Sequence, residues 1–414
     1  MPLPTTTTSA SSPLVTARAR AHRRAVCDLA RAVVIACVRS LGSSTRHTRV
    51  TRAMAATMAS SRSSTAACAS SAVVRGARVC GAGRRVQRAR ACAASASASE
   101  LASGETHAAY MRDAAKTKAP AELPAALRVL QARGYELEPP NARKGMHPLV
   151  VPLAKRKSDG HVIGLMIVDE QGGETPVVGV TDGAHLTLLA KNASQYVHWA
   201  IVEEEATSDE QSTVVAAAAG SVGVSLHNHG EFKTSGKPFD IYVTTQVGKF
   251  PSCMEGLVQR HLDRGDDQSA LITCDLYKAT FGEWGAPHVF ISDLYTRLGR
   301  VEEARDAARQ ALQTPWATVG SRDAIERMID IAGWSGKSVQ EIKDILESRR
   351  GPSAAAFDGP KTDKQLAREE SETLLDRVAR GELESAVVNQ RLAECYMNAG
   401  KPALAKFIMC GMSA

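Results

Sequence analysis

The first 99 residues contain no lysine, phenylalanine, tryptophan or tyrosine, and one acid, Asp28, against 16 arginines. The first aromatic is Tyr110 and the first lysine Lys116. Without bulky apolar residues, a segment cannot offset the conformational entropy of a packed core. That excludes an ordinary folded domain there. Arginine- and serine-rich, acid-poor composition is instead the signature of an organelle transit peptide, so residues 1–99 are read as transit peptide or disordered arm. Long apolar runs are also lacking. The stretch Ala32–Val38 is seven residues between Arg31 and Arg39, far short of the ~18 that a membrane helix needs. A secretory signal peptide would share such a short core, but the arginine- and serine-rich tract continues well beyond it. From Met54 the chain reads MAATMASSRSSTAACASSAVV, the look of a fresh plastid transit start. Residues 1–53 are therefore expected to be an upstream extension or a long presequence, with processing near Arg85–Ser99. A retained basic arm is the alternative.

Cysteine pairs are missing too. Cys27, Cys37, Cys68, Cys80 and Cys92 lie in the presequence; Cys253, Cys274, Cys395 and Cys410 are scattered, with no CxxC. That excludes a disulfide framework and a cysteine zinc site, and it fits an organelle interior. Chloroplast, stromal or thylakoid-associated, is the expected location, with the mitochondrial matrix second. The whole-chain charge of +7 belongs to the presequence: residues 100–414 hold 35 basic and 43 acidic residues, net −8. A mainly electrostatic nucleic-acid binder is disfavoured. No GxSxG, HExxH or strand-linked GxGxxG is present. GEFKTSGK, Gly230–Lys237, resembles a phosphate loop but misses the spacing by one residue, and Pro238 follows Lys237; proline has no N–H to offer a phosphate. No cofactor is implied.

What is present begins with a small α/β domain over 105–245. Leu123, Ala126, Leu127 and Leu130 predict a helix within Pro120–Gly134. HPLVVPLAKR and HVIGLMIVDE flank Asp159-Gly160, and PVVGV and AHLTLLA flank Asp182-Gly183. Asp-Gly between β-branched runs signals hairpins, so about four antiparallel strands are expected. A helix from Ala193 to about Ala206 places Tyr196, Trp199, Ala200 and Val202 toward the core and Glu203–Glu205 toward solvent. Val214–Leu226 suits either a helix or a strand. His227 and His229 form an HxH pair. They are candidate metal ligands only with partners such as His198 and Glu231, and a solvent-exposed loop pair is the simpler expectation.

The second half, 252–414, is helix-periodic. Gly265, Gly299 and Gly333 lie 34 residues apart, and Gly400 a further 67. Around Gly299, Ile291, Tyr295 and Leu298 precede the turn, while Ala304, Ala308 and Ala311 give the next helix a small face. Pro315 ends that helix. Leu392, Ala393, Tyr396, Gly400 and Ala405 repeat the plan. Four helical hairpins are expected, with Trp284, Trp316 and Trp334 in core or turn packing and a flexible insert at 349–361. On the 34-residue period this half resembles the tetratricopeptide repeat (TPR) family. With the presequence, HPLVVPLA and GRVEEARDAARQALQTPW, the chain resembles a plastid TPR-like group of green plants and algae over about 145–320. The resemblance implies a helical-hairpin solenoid, an unidentified protein partner and no catalytic residues.

The expected fold class is thus an α+β N-terminal domain followed by an all-α TPR-like solenoid. The expected function is a non-catalytic plastid protein-binding or assembly factor. Two alternatives are an organelle RNA-binding repeat protein, suggested by Arg143, Lys144, Lys155, Arg156 and Lys157, and a metal-dependent enzyme built on His227 and His229. The composition leaves the oligomeric state open.

Overall fold

The computed structural model describes residues 98–168, 174–208, 213–349 and 361–412, all within one compact unit, Ala77–Ala414. The presequence with its Met54 start, except Ala98 and Ser99, lies outside the described residues. So does the expected insert, except Arg349 and Lys361.

Five antiparallel strands form a meander in chain order: β1 (Glu136–Leu137), β2 (Val150–Lys155), β3 (Val162–Met166), β4 (Val177–Thr181) and β5 (His185–Ala190). Four strands were expected; β1 adds two residues, too short to leave a period. The two Asp-Gly turns differ. Asp182 and Gly183 both take positive φ, 50° and 71°, within a three-residue loop between Thr181 and its strand partner His185. At the other turn only Gly160 does, at 72°, and the Asp159 carboxylate accepts the His161 amide N–H at 3.2 Å.

Both faces of the sheet are buried. Val151, Leu165 and Ile163 point to one side, into a cluster with the helices Leu123–Ala132 and Ala193–Thr207. Val150, Val178, Val180 and Leu186 point to the other, onto Ala308, Trp316, Ile325 and Met328 of the helical half. Register places Val150 opposite Met166 and Val180 opposite Leu186, so this second face is continuous across the strands. Covered on both sides, the strands read as unbroken apolar runs rather than alternating ones.

Val214–Leu226 resolves as two short helices, Val214–Ala219 and Ser221–Leu226. From Pro251 the described residues form nine helices of eleven residues or more. Pro251–Asp263 pairs with Asp267–Phe281, and Gly285–Arg297 with Val301–Ala311. Arg322–Ala332 and Val339–Arg349 follow, then Asp363–Arg380, Ser385–Asn398 and Pro402–Met412. Gly265, Gly299, Gly333 and Gly400 all sit at inter-helix turns with φ between 70° and 79°, the left-handed region that glycine enters without a Cβ clash. Four hairpins account for eight helices. The ninth, Asp363–Arg380, joins Ser385–Asn398 through Gly381, also at positive φ. The last two helices turn back: Leu392, Ala393, Leu404, Phe407 and Ile408 belong to the same core cluster as the N-terminal helices.

Candidate partner-binding cleft

Where one edge of the sheet meets the first helical hairpins, a cleft encloses about 270 Å³. Each wall follows from local sequence. The Ala193–Thr207 helix starts at Asn192, whose side chain accepts the Gln195 amide N–H at 2.9 Å, and its period brings Tyr196 and Trp199 into one wall. Their rings lie 6.1 Å apart. Arg133, just past the Leu123–Ala132 helix, stacks its guanidinium 4.9 Å from the Trp199 ring and donates to Glu203. The opposite wall is Tyr277, Phe281 and Trp284. The Tyr277 hydroxyl donates to Glu255 at 2.8 Å. Phe281, one turn on, meets Tyr277 edge to face at 5.8 Å. Arg156 closes the mouth, donating to the Tyr135 hydroxyl at 2.7 Å and reaching Asp159 at 3.3 Å.

The floor depends on a glycine. A Cβ on Gly179 would lie 2.5 Å from His161 Nε2, so Gly179 lets the His161 ring lie on β4. Burial and the Arg156 charge push the His161 imidazole below its ordinary pKa. Burial raises the Glu255 carboxyl, against the Tyr277 hydrogen bond. A second concavity, about 360 Å³, shares Leu188, Phe281 and Trp284 with the first and adds Lys191 and Lys278. Two extended aromatic walls with cationic groups at the rim suit a protein segment better than a small reacting substrate.

The histidine pair separates. His229 is exposed, but His227 is buried and bonded to Glu205 at 2.6 Å, which overturns the exposed-loop expectation for it. The His198 ring lies 5.7 Å from that of His227. Among the described residues no three His, Cys, Asp or Glu side chains are grouped so as to hold a metal ion. Glu203–Glu205 were expected to face solvent. Instead Glu203 holds Arg133, Glu204 accepts the Val215 amide N–H at 3.0 Å, and Glu205 accepts that of Lys233 at 3.0 Å. Burial works to raise the Glu205 carboxyl, but the His227 and Lys233 hydrogen bonds outweigh it and hold it below the usual range.

The repeat residues fall at helix contacts. Ala304, Ala308, Ala311 and Ala405 are buried. Tyr295 and Tyr396 are half-buried, and Gly299 and Gly400 occupy their turns. Small Ala304 lets the Ser292 hydroxyl donate to its carbonyl at 2.9 Å. Arg327 pairs with Asp293, one 34-residue period earlier, at 2.9 Å, so equivalent helices of successive hairpins lie side by side. Trp316 and Trp334 are buried. The basic stretch does not form a single surface: Arg143 is buried and Lys157 pairs with Glu136 at 2.7 Å.

The cleft itself was not foreseen. Its signal was the unbroken apolar strands, which require a second covering layer and hence a seam where the layers meet. The family profiles run along this same architecture: PAB N-terminal over residues 105–246, PAB middle domain over 251–335 and PAB C-terminal domain over 341–410. The chain belongs to the PAB family. A relative, Protein IN CHLOROPLAST ATPASE BIOGENESIS, chloroplastic, from Arabidopsis thaliana, is 34% identical over 308 residues, covering 73% of this chain and 90% of the relative. By its name that relative is a chloroplastic protein of ATPase biogenesis. No solved structure matches this chain.

Proposed function

We propose that this PAB-family protein is a non-catalytic factor in biogenesis of the chloroplast ATPase, acting by transient binding of a protein partner. The carrying observation is the relative named for chloroplast ATPase biogenesis, of which this chain covers 90%. Its sequence runs through the sheet, the cleft and the helical half alike. The 34-residue ladder and the Asp293–Arg327 pair support TPR-like packing of the helices. In a TPR protein the partner commonly lies on the inner helical surface. Here Val150, Val178, Val180 and Leu186 of the chain's own sheet already pack on Ala308, Trp316, Ile325 and Met328 of the helices. Docking therefore falls to the aromatic cleft at the seam. No helix among the described residues is long and apolar enough to cross a membrane, so contact with a thylakoid complex would come through protein surfaces.

Depleting the protein in its host and measuring assembled chloroplast ATPase against total ATPase subunits tests the role. Assembled enzyme should fall while subunit synthesis continues. Unchanged assembled enzyme would contradict it.

A further inference from the structure

Three side-chain nitrogens lining the cleft are buried without a hydrogen-bond partner: Trp199 Nε1, Arg133 Nη1 and His161 Nδ1. Buried polar atoms in folded proteins are nearly always paired, and an exception calls for an explanation. Of the twelve such atoms among the described residues, these three belong to residues that line one cleft, on three different elements. Two of them, the indole and the guanidinium, can only donate, so what they lack is an acceptor. Arg133 reaches Glu203 through Nη2 alone, leaving its other terminal nitrogen unpaired. The lining holds two guanidiniums, Arg133 and Arg156, each already paired at one nitrogen with a carboxylate, Glu203 and Asp159, and one carboxyl, Glu255, engaged by the Tyr277 hydroxyl. What calls for an acceptor is therefore the unpaired donors and not net charge.

We propose that the cleft receives an acidic side chain, flanked by aromatic or large apolar residues, from an extended segment of the protein partner. The carboxylate would accept from Trp199, Arg133 and His161, a charge-assisted arrangement that a neutral amide matches poorly. The flanking residues would lie between the Trp199 wall and the Tyr277–Phe281 wall, where aromatic pairs gain from edge and offset contacts. The inference rests on the docking role proposed above.

The test uses the full chain and a labelled peptide blocked at both ends, carrying a glutamate between two phenylalanines. Glutamine and lysine counterparts serve as comparisons. The glutamate peptide should bind about tenfold tighter than either counterpart, the weight of one charge-assisted hydrogen bond. Binding should shift the Trp199 indole proton resonance. Trp199→Phe, which keeps a ring but removes the donor, should erase much of the glutamate preference, and Arg133→Gln all of it. His161→Gln, at a half-exposed position, provides the same reading if Arg133→Gln fails to fold. Equal binding of the three peptides, or binding of none, overturns the proposal. Complementation of depleted cells separates this from the parent role. If depletion lowers assembled ATPase but the Trp199→Phe and His161→Gln variants restore it fully, the cleft inference falls and the assembly role stands. If depletion leaves the ATPase intact, the assembly role itself falls.

Discussion

Arg143 shows how far a residue's neighbours in sequence can mislead. It sits in a basic stretch, yet its guanidinium is buried 3.6 Å from the Phe407 ring. It donates to the carbonyls of Val150 at 3.0 Å and Phe407 at 2.8 Å, and to that of Pro148. Arg143→Leu would strand those carbonyls and should cost about 3 kcal/mol, measured by urea unfolding. Arg143→Lys should recover only part of this, since an ammonium cannot span the same fork. Two buried histidines set a pH dependence. Burial lowers His107 and His147 from 6.5 to about 4. The His107 ring donates to the Pro152 carbonyl at 3.1 Å, which partly opposes the shift. Both stay neutral in the folded chain while the unfolded chain takes up protons below pH 6.5. Stability should therefore be complete above that pH and fall steadily toward pH 4, by up to about 2.7 kcal/mol per pH unit near pH 5. A urea midpoint unchanged between pH 7.5 and pH 5 would contradict this. None of these burials was legible in the sequence, because arginine, histidine and the Glu203–Glu205 run ordinarily stay in water.

Elements were more legible than residues. Helices over 123–132 and 193–207 and the strands on either side of both Asp-Gly turns follow from period alone. Glycine spacing marked four helix turns. It missed Gly381, which lies off the 34-residue ladder, beyond the 349–361 segment. Glycines of equal rank in the sequence carry different loads in the fold. Gly299 needs its positive φ but has open space around it, whereas a Cβ on Gly164 of β3 would lie 2.5 Å from Val150 Cγ1 and 2.6 Å from the Val151 carbonyl oxygen. Gly299→Ala should cost about 1 kcal/mol. Gly164→Ala should cost about 2–3 kcal/mol, because it overpacks a sheet that has no free face to relax into. Thermal unfolding of the two variants side by side checks the order; a larger loss at Gly299 would contradict it.

At the scale of the molecule, the C-terminal helices complete the N-terminal core, with Arg143 and Phe407 in contact across 264 positions. No local pattern announces a pairing of that span, so the sequence reading left the two halves as consecutive domains. Removing residues 402–412 should expose Tyr110 and Met111 and lower amide-exchange protection over residues 105–130, not only near the truncation. Protection there equal to that of the full chain would show the N-terminal half to be self-sufficient. The seam between the two layers is the surface to which the proposed docking is assigned, and placing a photo-crosslinking side chain at position 284 tests that assignment most directly. In intact chloroplasts, with a matched probe at exposed Val387, newly made ATPase subunits should crosslink from position 284 and not from 387. Crosslinks from 387 with none from 284 would contradict the account.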